Sequence, residues 1–114
     1  MRFVSAVILW SMIATAASAH AFLQHAEPGA GASLKSAPKE LVLKFSEMLE
    51  PSFSGVEVTD SKGGSVETAS VAVSGTSMRA ALKPLSPGQY QVKWHAVSLD
   101  SHRTEGQFTF TVQP

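Results

Sequence analysis

The sequence predicts an all-β domain, an antiparallel sandwich or small barrel, preceded by a removable leader. Three observations carry this expectation. Short stretches alternate apolar and polar residues with period two. Gly and Pro punctuate them at close intervals, and no part of residues 20–114 keeps a helical period.

The leader comes first. Met1-Arg2 is a short basic start, Phe3 to Ala16 is apolar apart from small polar residues, and Ala17-Ser18-Ala19 is a small-x-small cleavage pattern. The run is too short and interrupted for a membrane span, which needs about 20 apolar residues. Residues 1–19 are therefore expected to be a cleaved signal peptide, and 20–114 an exported, soluble domain with no stable membrane insertion. A retained anchor is the alternative. Removing 19 of 114 residues leaves 95, enough for one small domain, and makes His20 its first residue.

About seven strands follow. They are expected at Ala21–Glu27, Lys39–Ser46, Ser54–Thr59, Ser65–Val73, Met78–Leu82, Gln89–Val97 and Gln107–Val112. The patterns are plainest in Lys39–Ser46, with Leu41, Leu43 and Phe45 on one face, and in Gln89–Val97, with Tyr90, Val92, Trp94 and Ala96. Pro28-Gly29, Lys62-Gly63-Gly64, Pro84 and Pro87-Gly88 separate the strands. Glu47–Pro51 has room for a short helical turn, limited by Pro51. Phe45, Tyr90, Trp94, Phe108 and Phe110 are read as core, and Met48 and Met78 as core filler.

Charge and cysteine content then exclude several functions. Nine Lys and Arg balance nine Asp and Glu. Loss of Arg2 leaves the domain near −1, with neither the basic stripe of a nucleic-acid binder nor a polybasic membrane patch. There are no cysteines, so disulfides, blue-copper centres, iron–sulfur clusters and nucleophilic cysteine catalysis are ruled out.

Histidines point to a metal. As a new N-terminus, His20 carries an α-amine and an imidazole in one residue, and a metal can displace the amine proton near neutral pH. Asp100 and His102 stand two residues apart, and extended backbone would point both side chains the same way. An amine, two imidazoles and a carboxylate make the nitrogen- and oxygen-rich set that Cu(II) prefers. Taken singly, each has a plainer explanation: an N-terminal histidine left by processing, and an Asp-x-His triplet that caps a turn.

The run Trp94-His95-Ala96-Val97-Ser98-Leu99-Asp100-Ser101-His102, then Gly106-Gln107-Phe108-Thr109-Phe110, resembles the C-terminal signature of the CopC family. The resemblance extends to His20, the Pro28 turn, Phe45-Ser46-Glu47, Phe53-Ser54-Gly55 and Pro87-Gly88-Gln89-Tyr90. It implies a Greek-key β-sandwich or barrel of cupredoxin-like or Ig-like type, acting as a periplasmic copper-binding protein in copper homeostasis or resistance. It also implies Cu(II) ligation by His20, Asp100 and His102, with Glu47 near the ion as a ligand or outer-sphere group. Handover to an inner-membrane CopD-type protein is implied by the same analogy. Some family members add a methionine-rich Cu(I) loop; here Ser61–Gly75 contains neither Met nor His, so a Cu(II)-only site is expected. His95, where the family carries arginine, and His25 are read as surface residues.

Two other classes compete. A metal-free Ig-like interaction module would not need His20. A copper-dependent oxidative enzyme would use the same N-terminal histidine. However, it generally needs a longer chain and a broad substrate surface, and an aspartate here fills the third side-chain position. No serine–histidine–acid motif or paired-carboxylate pattern supports hydrolysis. The protein is therefore expected not to be an enzyme.

Overall fold

Alternation produces the sandwich directly. In β3 (Glu40–Phe45), Leu41, Leu43 and Phe45 are buried while Glu40 and Lys44 face solvent. In β8 (Gly88–Val97), the buried set is Tyr90, Val92, Trp94 and Ala96. The computed structural model describes residues 21–66 and 68–114, with only the backbone of Ala69. Residues 1–19, read above as a cleaved leader, and His20 lie outside the described residues.

Two sheets form. One runs β1 (Leu23–Glu27), β3, β7 (Ser77–Leu82), β6 (Thr68–Ser74). The other runs β2 (Ser33–Leu34), β9 (Arg103–Val112), β8, β4 (Gly55–Asp60), β5 (Ser65–Val66). All pairings are antiparallel except β2 with β9. The chain passes repeatedly between the sheets, and their inner faces enclose one core.

Among the described residues nine strands appear where about seven were expected. The stretch read as Ser65–Val73 splits, because β5 pairs with β4 in one sheet and β6 with β7 in the other. β2 is two residues long and exists through its pairing with β9 rather than through its own pattern. β9 begins at Arg103, four residues before the expected start. The turn expected over Glu47–Pro51 instead comes after it, as a 3-10 turn over Pro51–Phe53 with Pro51 at its start. There the missing N–H costs nothing.

The core holds Phe45, Tyr90, Trp94 and Phe110, with Phe108 at its margin. Phe45 meets Trp94 edge to face at 5.1 Å, and Tyr90 stacks on Phe110 at 5.4 Å. The Tyr90 hydroxyl reaches out of this cluster to donate to the Ser86 carbonyl at 2.5 Å, as a buried phenol requires. Met78 is buried as expected, but Met48 is 55% exposed. After Phe45 the chain leaves the sheet, and Leu49 takes the inward position instead. Among the described residues no helix is long and apolar enough to cross a membrane.

Candidate metal centre

The β8–β9 hairpin supplies two of the expected ligands. Its strands pair without interruption from Gly88↔Val112 to Val97↔Arg103. Beyond that register, the Ser98 N–H donates to the His102 carbonyl at 3.0 Å and the Ser101 N–H to the Ser98 carbonyl at 2.9 Å. Ser101 has φ 72°, a left-handed conformation that costs a residue bearing a β-carbon about 1–2 kcal/mol. Asp100 and His102 therefore converge across a tight turn, not along extended backbone. The two side chains do come together, through a turn rather than the extended backbone expected.

Within the turn, Asp100 Oδ2 lies 2.9 Å from His102 Nδ1, and Asp100 Oδ1 accepts from the Ser98 hydroxyl. Asp100 and His102 stay accessible, with side chains 41% and 53% exposed, whereas Ser98 is buried. The Ser98 hydroxyl, and after it His102, hold the Asp100 carboxyl below its ordinary value by favouring the ionised form. Nitrogen and oxygen donors lie about 2.0–2.2 Å from a first-row divalent ion, and two of them about 90° apart, as in a tetragonal arrangement, stand about 3 Å from each other. The Asp100–His102 spacing suits either a hydrogen bond or two neighbouring ligands.

Glu47 comes to the same place. It sits exposed on the segment leaving β3, and it lines an open cavity of about 270 Å³ with Met48, Ser98, Leu99 and Asp100. That segment is fixed by the Leu49 N–H to the Gly75 carbonyl (2.9 Å) and the Glu50 N–H to the Val97 carbonyl (2.8 Å). A bridge between Leu49 and Ser98 completes the junction. Gly75, at φ 59°, makes the β6–β7 turn tight enough to meet it. His102 is outside the cavity lining and meets the group through Asp100.

The start of the described chain closes this end of the sandwich. Ala21 is fully buried, and its carbonyl accepts from the Thr104 hydroxyl at 2.5 Å. The Phe22 N–H donates to Ser46 Oγ, and the Ser46 N–H to the Phe22 carbonyl, each at 2.8 Å. His20 itself lies outside the described residues. Among the described residues, no group of three or more His, Cys, Asp or Glu could hold a metal ion. Asp100 and His102 stand there as a pair, with Glu47 on the cavity that Asp100 also lines.

The remaining histidines are elsewhere. His25 is exposed and paired with Glu27 at 3.0 Å on β1, beside a hollow lined by Ala30 and Phe108. His95 is half-buried on the outer sheet face, its ring lying over Gly55, closer packing than the exposed position expected for it.

Sequence reasoning missed Ser98 and Thr104. Both signals were present. Ser98 continues the inward series Tyr90, Val92, Trp94, Ala96, and Thr104 continues the inward series of β9 toward the tip. A polar side chain at an inward position needs a partner.

The matches to known proteins cover nearly the whole chain. Residues 23–113 match the family described as CopC domain. Protein YobA of Escherichia coli strain K12 is 35% identical over 117 residues, spanning 99% of this chain and 94% of that one. Copper resistance protein C of Pseudomonas syringae pv. tomato is 33% identical over 120 residues, spanning 97% and 94%. The crystal structure of CopC from Methylosinus trichosporium OB3b superposes with a TM-score of 0.75 at 33% identity, covering 83% of this chain and 95% of that one. That of PcoC, a methionine-rich copper resistance protein from Escherichia coli, gives 0.74 at 35%, covering 82% and 99%. With the two-sheet fold, the hairpin site and these matches in hand, the chain belongs to the CopC domain family.

Proposed function

We propose that the mature chain, residues 20–114, is a periplasmic Cu(II)-binding protein for copper tolerance, storage or delivery. Its ligands are the His20 amine and imidazole, Asp100 and His102. One observation carries the reading. Ala21 is pinned to Thr104, two residues along β9 from His102, and peptide geometry keeps the Cα of residue 20 within 3.8 Å of that of Ala21. Two strand residues span about 7 Å. An N-terminal chelate attached there is within reach of the Asp100–His102 pair. Glu47 stands as an outer-sphere group or weaker ligand on the shared cavity.

The donor set favours Cu(II) over Cu(I). Cu(I) selects soft sulfur ligands, the chain has no cysteine, and Met78 is buried in the core. Met48 alone among the described methionines is accessible. Relatives named copper resistance protein C support copper as the cargo. We read the protein as a carrier rather than an enzyme, since His20, Asp100 and His102 would supply four donors to the ion and leave little room for oxygen to bind. A CopD-type membrane protein is the proposed recipient.

The test compares Cu(II) titrations of the chain beginning at His20 with a version carrying one extra N-terminal residue. Tight binding, with nitrogen hyperfine structure in the paramagnetic resonance spectrum, is expected for the first only. Equal binding by both overturns the reading.

A further inference from the structure

A buried hydroxyl stands behind the hairpin, and the role assigned to it rests on the Cu(II) reading of Asp100 and His102. Ser98 is 2% exposed, so water does not compete for its hydroxyl. That hydroxyl has one proton and two acceptors: Asp100 Oδ1, and the His102 carbonyl at 3.2 Å. The carbonyl already receives the Ser98 N–H at 3.0 Å, and an ionised carboxylate is the stronger acceptor. The proton therefore goes to Asp100. The turn itself does not depend on this bond, because the Ser98–His102 and Ser101–Ser98 backbone bonds close it alone.

We propose that Ser98 is a positioning residue for the captured ion. Its hydroxyl retains Asp100 Oδ1, so the carboxylate offers the ion Oδ2 alone, on the side where His102 Nδ1 lies 2.9 Å away. Without the hydroxyl, Asp100 is held from the His102 side alone, and its carboxylate can turn to meet the ion through either oxygen, or through both. Ordering that carboxylate in advance removes part of the entropy cost of binding. Loss of such supporting contacts typically weakens metal affinity about 10- to 100-fold.

The experiment uses the processed chain starting at His20, with Ser98→Ala, Ser98→Thr, Asp100→Ala and the Ser98→Ala/Asp100→Ala double variant, each checked for folding by circular dichroism. Cu(II) affinity and the paramagnetic resonance spectrum are measured for all. Ser98→Ala is expected to weaken binding about 10- to 100-fold with an altered spectrum, Ser98→Thr to restore both, and Ser98→Ala to add nothing once Asp100 is gone. Wild-type affinity and spectrum in Ser98→Ala would overturn the inference. So would a loss of equal size in the Asp100→Ala background, which would mean the hydroxyl acts through the loop alone. If Ser98→Thr does not fold, the double-variant comparison still decides. Should Asp100→Ala bind as wild type, the Asp100 ligand reading fails and takes this inference with it. Weakened Asp100→Ala beside unchanged Ser98→Ala sinks only the inference.

Discussion

The Thr104 hydroxyl donates to the carbonyl of Ala21, 83 residues earlier in the chain, at 2.5 Å. The bond joins the first described residue to the base of the β8–β9 tip. Replacing Thr104 with Val keeps the shape and removes the donor, leaving a buried carbonyl without that partner. A loss of about 1–3 kcal/mol in urea unfolding of the metal-free protein is expected, with recovery in Thr104→Ser. A Thr104→Val variant as stable as wild type would show that the carbonyl is satisfied in another way.

Asp100 gives a pH signature. The Ser98 hydroxyl and His102 depress its folded-state pKa below the ordinary aspartate value. The resulting stabilisation is complete above the unfolded value of about 3.9 and is lost as pH falls through the folded value. Asp100→Asn should therefore lower metal-free stability near neutrality, and the deficit should shrink as the pH drops below about 4. Unfolding midpoints measured across that range check it; a deficit that grows on acidification would contradict the assignment.

Gly106 is the space that Trp94 occupies. A β-carbon at position 106 would stand 2.5 Å from Cζ2 of the indole and 2.8 Å from Cε2, so Gly106→Ala must displace the ring from its contact with Phe45. A destabilisation of about 1–3 kcal/mol is expected. Trp94 is the one tryptophan of residues 20–114, so its emission reports the displacement without ambiguity. An unshifted spectrum at full stability would mean the backbone gives way instead.

His25 should matter little. Its side chain is 57% exposed and its partner Glu27 is more exposed still, an arrangement worth about 0–1 kcal/mol. His25→Ala is expected to leave the Cu(II) titration curve unchanged and stability within about 0.5 kcal/mol. A clear loss of affinity would make His25 part of the centre.

Strands with an uninterrupted inward apolar series were legible in the sequence, and β3 and β8 show why: period-two burial needs nothing beyond the chain's own order. The first half of β9 was hidden because its inward positions hold Thr104 and Gly106, the latter left small for the indole of Trp94. β2 and β5 owe their existence to neighbours far along the chain. In the site, the Asp100–His102 partnership was readable as a spacing. The left-handed Ser101 that brings them together was not, since nothing in Leu99-Asp100-Ser101 carries the glycine or asparagine that usually marks that conformation. Met48 was misread for a related reason: apolar character gave no warning that the chain had already left the sheet.

The unbroken β8–β9 ladder divides the mechanical roles at this end of the sandwich. Ten consecutive residue pairs anchor the tip bearing Asp100 and His102, so that side behaves as a fixed jaw. On the opposite side, Ala21 and Phe22, ahead of β1, are held by Thr104 and Ser46. On the carrier reading proposed above, a recipient would release the cargo by peeling away the Ala21-Phe22 segment and leaving the hairpin in place.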